Sequence, residues 1–265
     1  MTKTGPLFLG FDVGTQSVKA LVIDAEQAKV VARASRPLSL LEGLGQGHME
    51  QHPRDWLDAV VATCGEVLQQ VDGAQIAGVG VSGQQHGCVV LDDQDEVVRP
   101  AKLWCDTATA VEAQELAERL GRPVPTGFTA SKLAWIKQHE PHNWARIRRV
   151  LLPHDYVNFW LTGEATMECG DASGSGWFDP SARDFDAAAM AAIDEQVAGW
   201  MPPLLPAGAM AGSLAAETAA RLGLPAGIPV SAGGGDNMMS AIGSGATRDG
   251  GVVVSRGPTG TRSTR

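Results

Sequence analysis

Near its amino terminus the chain reads LFLGFDVGTQSVKALVID, residues 7–24. Its β-branched and aromatic residues form two short runs, Leu7–Phe11 and Val18–Ile23, and the DVGTQS between them is typical of a tight turn. A third run, Val30–Ser35, follows the polar segment DAEQAK. Short runs joined by short turns predict a three-stranded antiparallel meander.

Helices and strands alternate after this meander. From Pro53 the apolar residues recur every three or four positions, which predicts a helix with proline in its first turn. Buried strands are predicted at Ile76–Ser82 and Cys88–Asp92, and a last strand is predicted at Gly250–Ser255. A surface connection is predicted at Trp200–Gly212. Further helices are predicted at residues 107–120, 131–139, 155–161 and 214–222. The pattern indicates an α/β domain with a mixed β-sheet flanked by helices.

The composition bounds the function classes. The chain has 265 residues, 44% of them hydrophobic, and a formal net charge of -9 without a block of Lys or Arg. This argues against nucleic acid or an anionic membrane as partner and favours small molecules. The sequence has no signal-peptide core or membrane-length apolar run, and its four cysteines are far apart, which predicts a cytoplasmic protein with reduced thiols. Whether two chains pair as a homodimer stays open.

The turn after the first strand is one candidate site. Asp12 precedes a run of small and polar residues, Gly14, Thr15, Gln16 and Ser17. A turn of this kind presents backbone N–H groups and hydroxyls to one anion, and a phosphate would fit. Asp12 could hold hydrated Mg²⁺, which prefers carboxylates plus phosphate oxygens. An ordinary hairpin, in which Asp12 accepts hydrogen bonds from turn amides, explains the same residues.

A second candidate site lies in IPVSAGGGDNMMSAIGSG, residues 228–245. Three glycines between a predicted strand and a predicted helix allow a ligand close to the backbone and place Asp236 at the positive end of the helix. We expect an ionised Asp236 that acts as general base toward an attacking hydroxyl. Capping of the helix by Asp236 or Asn237 is the structural alternative, although capping does not require three glycines.

Six segments in order resemble the FGGY family of carbohydrate kinases: FDVGTQSVK, SGQQHG, LWCD, GFTASKLAWIKQHEP, LLPHDYVNFWLTGE and SAGGGDN. The resemblance covers nearly the whole chain up to Ser255, and within the family it is greatest to the xylulokinases. The most specific segment is GFTASKLAWIKQH, which contains Lys132 and Trp135.

The resemblance implies a ribonuclease H-like fold of the actin/hexokinase ATPase type, with two such domains closing over ATP and a sugar. Residues 1–245 would be the sugar-binding domain, and residues 246–265 the start of an ATP-binding domain. The resemblance also implies ATP and Mg²⁺ as cofactors.

The resemblance further implies a role for each site residue. Asp236 would be the catalytic base, while Asp12 and the Gly14–Ser17 turn would face the ATP phosphates and Mg²⁺. The sugar pocket would be lined by Gln85, His86, Trp104, Asp106 and Asn237. Taken singly, His86 is also explained as a loop histidine and Trp104 as a core residue.

Two segments differ from the motifs with which they can be compared, a zinc-binding motif and a phosphate loop. HMEQHP, residues 48–53, contains two histidines, but its Glu is misplaced for HExxH and Pro53 prevents one helix across both, so no metal site is predicted. RGPTGTRSTR, residues 256–265, stands where the family has a Gly-Thr-Ser-Gly-Thr phosphate loop. Pro258 there removes an N–H donor. We expect a truncated or altered second domain and no turnover by this chain alone.

The expected reaction is ATP-dependent phosphorylation of D-xylulose to D-xylulose 5-phosphate. Another FGGY substrate, such as ribulose, glycerol or gluconate, is the nearest alternative. A sugar-binding fragment or sensor without turnover is a second alternative. An actin-like filament or chaperone nucleotide domain is a third, because the phosphate turn is shared across that superfamily.

Overall fold

The computed structural model describes residues 5–247 and the backbone of residues 252–255 and 261–264. The strands are β1 (Leu7–Val13), β2 (Ser17–Asp24), β3 (Lys29–Pro37), β4 (Glu50–Gln51), β5 (Ile76–Gly83), β6 (Val89–Leu91), β7 (Ala101–Lys102), β8 (Arg149–Leu151), β9 (Met167–Glu168), β10 (Phe178–Asp179), β11 (Asp184–Phe185), β12 (Leu204–Leu205), β13 (Met210–Ser213), β14 (Pro229–Ser231), β15 (Gly234–Gly235), β16 (Val252–Ser255) and β17 (Thr261–Thr264). The α-helices are α1 (Pro53–Val67), α2 (Ala110–Leu120), α3 (Thr129–His139), α4 (Pro141–Arg146), α5 (Pro153–Thr162), α6 (Cys169–Ala172), α7 (Ala187–Ala191), α8 (Ala216–Leu222) and α9 (Asp236–Gly243), and 3₁₀ turns cover Gly73–Gln75 and Glu195–Trp200.

The central sheet has the strand order β13-β14-β5-β1-β2-β3, and β15 also pairs with β5. Strands β1, β2 and β3 pair antiparallel, which confirms the predicted meander. Strand β5 runs parallel to β1, and β14 runs parallel to β5. The sheet is therefore mixed, as the alternation of strands and helices predicts.

The main core lies between one face of this sheet and helices α1, α5 and α8. In β1 the residues alternate, so that Leu7, Leu9 and Phe11 are buried while Phe8 is 43% exposed. Helix α1 covers the buried face with a stripe that includes Trp56. Each such side chain contributes about 1.5–3 kcal/mol by leaving water. Every second residue of the strand thus packs against the apolar stripe of the helix, whose residues recur every 3.6 positions.

A second core lies among the helices that follow β6. It contains buried apolar side chains from α2, α3 and α7 and from the segments between them, among them Leu116, Leu133, Ile136, Trp177 and Met190. Helix α3 packs in this core and holds the segment GFTASKLAWIKQH except for its first two residues, Gly127 and Phe128. It therefore supports one side of the site described below.

Most predicted elements are present, with shifted ends. Glycines in the left-handed region end α2 at Gly121 (φ +64°) and α5 at Gly163 (φ +78°), as expected from their positions. Helix α2 begins three residues later than predicted because Asp106 Oδ1 accepts a hydrogen bond from the N–H of Ala108 and holds a turn there. The prediction of a plain surface connection at Trp200–Gly212 is wrong, since the segment contributes β12 and most of β13, an edge strand of the central sheet.

The last predicted strand is present as β16, which pairs antiparallel with β17. Gly250 and Gly251, which the prediction included, lie outside the described residues, as do Arg256 and Pro258. No helix among residues 5–247 is long and apolar enough to cross a membrane.

Candidate active site

Three strand ends meet at one edge of the central sheet. Asp12, near the end of β1, pairs with Ser82 of β5, and Ser82 pairs on its other side with Gly234 of β15. Asp236 follows β15 directly. Parallel strands present their carboxyl ends at the same edge, so two carboxylates that are 224 positions apart face the same opening.

Asp12 is held by two neighbours on this edge. Lys19 Nζ of β2 lies 3.0 Å from Asp12 Oδ2, and Ser82 Oγ lies 3.4 Å from Oδ1. The Asp12 side chain is 39% exposed. Its carboxylate is therefore anchored but still open to a ligand.

The glycines before Asp236 are required by close packing. Gly233 has a φ of +70°, and a Cβ there would collide with the carbonyl oxygen of Val81. A Cβ on Gly235 would lie 2.5 Å from Gln85 Nε2. The glycines therefore do allow a close approach to the backbone. The groups that approach it here are Val81 and Gln85 of the protein, whereas the sequence predicts a ligand.

The prediction that Asp236 or Asn237 caps the helix is wrong. Gly235 is the N-cap residue, and Asp236 is the first residue of α9. Gly235 still has extended dihedral angles because it belongs to β15, so the helix begins one residue after it. Asp236 Oδ1 instead accepts a hydrogen bond of 2.7 Å from the N–H of Asn237.

Asp236 is a stronger base than an ordinary aspartate. Burial raises its pKa to about 6, the N–H of Asn237 opposes this shift, and the charges of Asp12 and Asp171 raise the pKa further. At pH 7 the carboxylate is still mostly ionised, as the sequence predicts. A pKa closer to neutrality favours proton transfer from a hydroxyl.

The turn between β1 and β2 directs Thr15 toward the interior. The hydroxyl of Thr15 donates to Gln84 Oε1 and accepts from Trp104 Nε1, both over 2.9 Å. Gly14 N donates to the carbonyl oxygen of Ser17 over 3.1 Å, which closes the turn. Gln16 is exposed and Ser17 is partly exposed. The role of Gly14, Thr15, Gln16 and Ser17 toward phosphate stays a prediction.

A cleft of about 830 Å³ joins the two predicted sites. Its walls include Asp12, the turn from Gly14 to Ser17, Trp104, Asp236 and Asn237. Among the residues that line this cleft, Lys19 is the one with a positively charged side chain. The structure thus brings together most of the residues that the sequence singles out.

Gln85 and His86 lie on the loop after β5, and neither is among the residues that line this cleft. Asn237 Nδ2 donates to Gln85 Oε1 over 2.9 Å, which ties the start of α9 to the loop after β5. The ring of His86 lies 5.0 Å from that of Phe128 and packs against Gly174, and its Nδ1 is buried without a hydrogen-bond partner. Burial lowers the pKa of His86, so a neutral imidazole is favoured at pH 7. An unsatisfied buried nitrogen is a position for a ligand hydroxyl.

Asp106 lies behind the cleft wall rather than in it. Its oxygens accept hydrogen bonds from Met49 N, Ala108 N and Lys102 Nζ over 2.9, 3.1 and 3.1 Å. The side chain is fully buried. Its predicted contact with a sugar remains a prediction, and its observed contacts position the segment that carries Trp104.

A cluster of possible metal ligands surrounds Lys102. The ligand atoms of His48, Glu50 and Asp106 lie within 4.8 Å of one another. Lys102 Nζ lies 3.1 Å from His48 Nδ1, 3.0 Å from Glu50 Oε1 and 3.1 Å from Asp106 Oδ2. The buried ammonium therefore lies where a bound cation would lie among these three side chains.

Several residues that support the site are not predicted from the sequence. Gln84 and Gln51 extend the contacts of Thr15, since Gln84 Nε2 donates to Gln51 Oε1 over 3.2 Å. Buried His154 and Asp171 lie behind Gln85. Gln84 is signalled only by its place in SGQQHG, and Asp171 stands in a stretch without helical or strand periodicity.

The donor set fits the groups that the resemblance implies. Asp12 and Asp236 face one cleft, and the charge of Asp12 contributes to the raised pKa of Asp236. Mutual repulsion of this kind is relieved by a bound divalent cation. The hard oxygen of Asp12 suits Mg²⁺, and the adjacent turn leaves room for phosphate oxygens.

The sequence matches the family model described as the FGGY family of carbohydrate kinases, N-terminal domain, over residues 7–243. Among curated proteins, the xylulose kinase of Haemophilus influenzae is 40% identical, and the match covers 96% of this chain and 55% of that protein. The xylulose kinase of Streptomyces coelicolor is also 40% identical, over 97% of this chain and 54% of that protein. The chain thus spans about half the length of the curated relatives it matches.

The fold is similar to that of a solved structure titled as a xyloylose kinase from Brucella ovis. The TM-score is 0.89 at 39% sequence identity, and the match covers 97% of this chain and 54% of that one. This similarity confirms the predicted fold class, a ribonuclease H-like α/β domain of the actin/hexokinase type. From the match over residues 7–243, we conclude that the chain belongs to the FGGY family of carbohydrate kinases.

Proposed function

We propose that this chain provides the sugar-binding side of an ATP-dependent ketopentose kinase whose substrate is D-xylulose and whose product is D-xylulose 5-phosphate. The observation that carries this proposal is the cleft in which Asp236, with a pKa raised to about 6, faces Asp12 next to Trp104 and Asn237. The names of the two relatives at 40% identity support xylulose over ribulose, glycerol or gluconate.

In this proposal Asp236 acts as the general base. Its carboxylate accepts the proton of the terminal sugar hydroxyl while that oxygen forms a bond to the terminal phosphorus of ATP and the bond from phosphorus to ADP breaks. Because phosphoryl transfer has a loose transition state, most catalysis comes from positioning and charge neutralisation. Asp12 would hold Mg²⁺, which supplies that neutralisation when bound.

The remaining residues orient the sugar. Trp104 provides an apolar wall whose indole is fixed by Thr15, and Asn237 is fixed by Gln85. The buried Nδ1 of His86 provides a polar atom that a sugar hydroxyl can satisfy. A site that pairs each buried hydroxyl discriminates well against sugars that lack one. We also assign this chain a cytoplasmic location, in agreement with its four free cysteines.

Titration calorimetry with the 265-residue chain tests the proposal. D-xylulose is expected to bind, and ribulose and glycerol to bind more weakly. His86→Ala should weaken xylulose binding about tenfold, whereas His142→Ala, at an exposed position on α4, should leave it unchanged. Failure of the folded chain to bind D-xylulose, or a preference for glycerol, would overturn the assignment of the sugar site to these residues.

A second candidate is a sugar-binding protein without turnover, because Lys19 Nζ lies 3.0 Å from Asp12 Oδ2, the carboxylate that would hold Mg²⁺ in a kinase. Incubation with MgATP and D-xylulose distinguishes the two when this chain is joined to the unmatched part of the Haemophilus influenzae xylulose kinase, of which the match covers 55%. Formation of ADP that depends on xylulose and on Asp236 supports a kinase. Sugar binding without ADP formation by the folded, joined protein supports a sugar-binding protein without turnover.

A further inference from the structure

A chain of buried polar side chains begins next to Asp236 and runs away from the cleft. Asn237 Nδ2 donates to Gln85 Oε1 over 2.9 Å, and Gln85 Nε2 donates to Asp171 Oδ1 over 3.2 Å. The other oxygen of Asp171 lies 2.7 Å from His154 Nδ1. On its far side, His154 Nε2 lies 2.9 Å from Asp155 Oδ1.

The charges in this chain are fixed by their surroundings. His154, Asp155 and Asp171 are fully buried, and the imidazole lies between two carboxylates. Burial alone would lower the pKa of His154, but Asp155 and Asp171 together raise it well above its ordinary value. The protonated ring donates from Nδ1 to Asp171, while its Nε2 pairs with Asp155 through charge and has no hydrogen-bond partner.

The hydrogen bond to Asp171 determines which way the Gln85 amide points. Both oxygens of a carboxylate accept hydrogen bonds, so Gln85 must present its NH₂ group to Asp171. Its carbonyl oxygen then faces Asn237 and accepts from Nδ2. The reversed amide would place two acceptors together at Asp171 and two donors together at Asn237, each an unpaired buried contact.

We propose that His154 is a positioning residue for the sugar site: through Asp171 it fixes the Gln85 amide, and through Gln85 it fixes Asn237 beside Asp236. The inference rests on the proposed function because it concerns the same site. His154 itself touches neither the cleft nor the reacting atoms. Gly235 reinforces the arrangement, since its missing side chain leaves the space that Gln85 fills.

The first test uses the free protein and is independent of sugar binding. In ¹⁵N-labelled protein at pH 7.5, His154 is expected to show two protonated ring nitrogens, and the side-chain amides of Gln85 and Asn237 should each give one slowly exchanging pair of signals. A neutral His154 ring would overturn the proposal. Because no ligand is added, this result stands even if D-xylulose does not bind.

The second test compares His154→Gln with a matched control, His142→Gln, at an exposed position on α4. His154→Gln removes the charge beside Asp171, whereas His142→Gln removes an imidazole outside this chain of contacts. We expect His154→Gln to duplicate or broaden the Gln85 and Asn237 amide signals and to weaken D-xylulose binding about tenfold. His142→Gln should keep single signals and change the affinity less than threefold.

Circular dichroism establishes that both variants fold before these comparisons are made. Equal amide spectra and equal sugar affinities in the two folded variants would mean that the cluster only supports the core, and the proposal would be wrong. If the wild-type chain binds no sugar but the amide signals respond as expected, the positioning role stands and the proposed function fails.

Discussion

Trp104 and Thr15 are joined by a 2.9 Å hydrogen bond from the indole Nε1 to the threonine Oγ1, across 89 positions of sequence. The same hydroxyl donates to Gln84 Oε1, and Gln84 donates to Gln51. One wall of the proposed sugar pocket is therefore held by the turn that the sequence predicts to face phosphate. Thr15 therefore links the β1–β2 turn to the cleft wall that Trp104 forms.

Thr15→Val is expected to lower the free energy of unfolding by about 1–2 kcal/mol, because it leaves Gln84 Oε1 and the Trp104 N–H without their partner. Thr15→Ser keeps the hydroxyl and should lose less than half as much. Urea denaturation measures both. D-xylulose binding should weaken in Thr15→Val alone, and equal stability of the two variants would show that the hydroxyl is not a partner of these groups.

The raised pKa of Asp236 predicts a pH-dependent effect on stability. A carboxyl whose pKa rises from 3.8 to about 6 on folding contributes stability that is present below pH 4 and is lost as the pH rises through 6. Asp236→Asn should therefore raise the free energy of unfolding at pH 7.5 by about 1 kcal/mol, after allowance for the partial exposure of the group. Near pH 3.5 the difference should vanish.

Urea denaturation at the two pH values checks this expectation. Ser240→Ala, which lies one turn further along α9 and is exposed, serves as the matched control and should show no such pH dependence. A stability gain in Asp236→Asn that is the same at both pH values would contradict the raised pKa.

The sequence predicts those parts of the site that follow from local patterns and strand order. The meander, the strand at β5 and the glycine-rich entry to α9 place Asp12 and Asp236 at the same edge of the sheet. The polar contacts behind them could not be predicted, since Thr15 and Gln84 are 69 positions apart and Gln85 and Asp171 are 86 apart. No helical or strand period encodes such pairs. The shift of the cap to Gly235 was missed for a related reason, because β15 exists only through its pairing with β5.

The three glycines of the GGGD segment are expected to differ from one another in their response to alanine. Gly233→Ala should cost about 2–3 kcal/mol, because it combines a φ of +70° with a collision against the Val81 carbonyl. Gly235→Ala has an ordinary φ and displaces a side chain, Gln85, so it should cost less stability but weaken D-xylulose binding.

Gly243→Ala provides the control for these variants, because nothing lies within 4 Å of its added Cβ at the end of α9. It should be neutral or stabilising by about 0.5 kcal/mol. Thermal unfolding and calorimetry separate the effects on stability and on binding. Loss of sugar binding in Gly243→Ala, or none in Gly235→Ala, would contradict the proposed packing of Gln85 against the start of α9.

Lys102→Met is expected to turn a structural ion cluster into a metal site. Removal of the buried ammonium leaves Glu50 and Asp106 without this partner, which should cost about 3–5 kcal/mol. Arg99 would still lie 2.7 Å from Glu50, where its charge helps to lower the pKa of that carboxyl against the effect of burial. His48, Glu50 and Asp106 then form an open set of N and O ligands that suits Zn²⁺.

Thermal unfolding with and without Zn²⁺ measures this effect. Zn²⁺ should raise the melting temperature of Lys102→Met by several degrees, because a ligand that binds only the folded state stabilises it. The double variant with Asp106→Asn lacks one ligand and should respond much less. If Zn²⁺ stabilises the wild-type protein as much as Lys102→Met, the metal binds elsewhere and the lysine does not occupy the site.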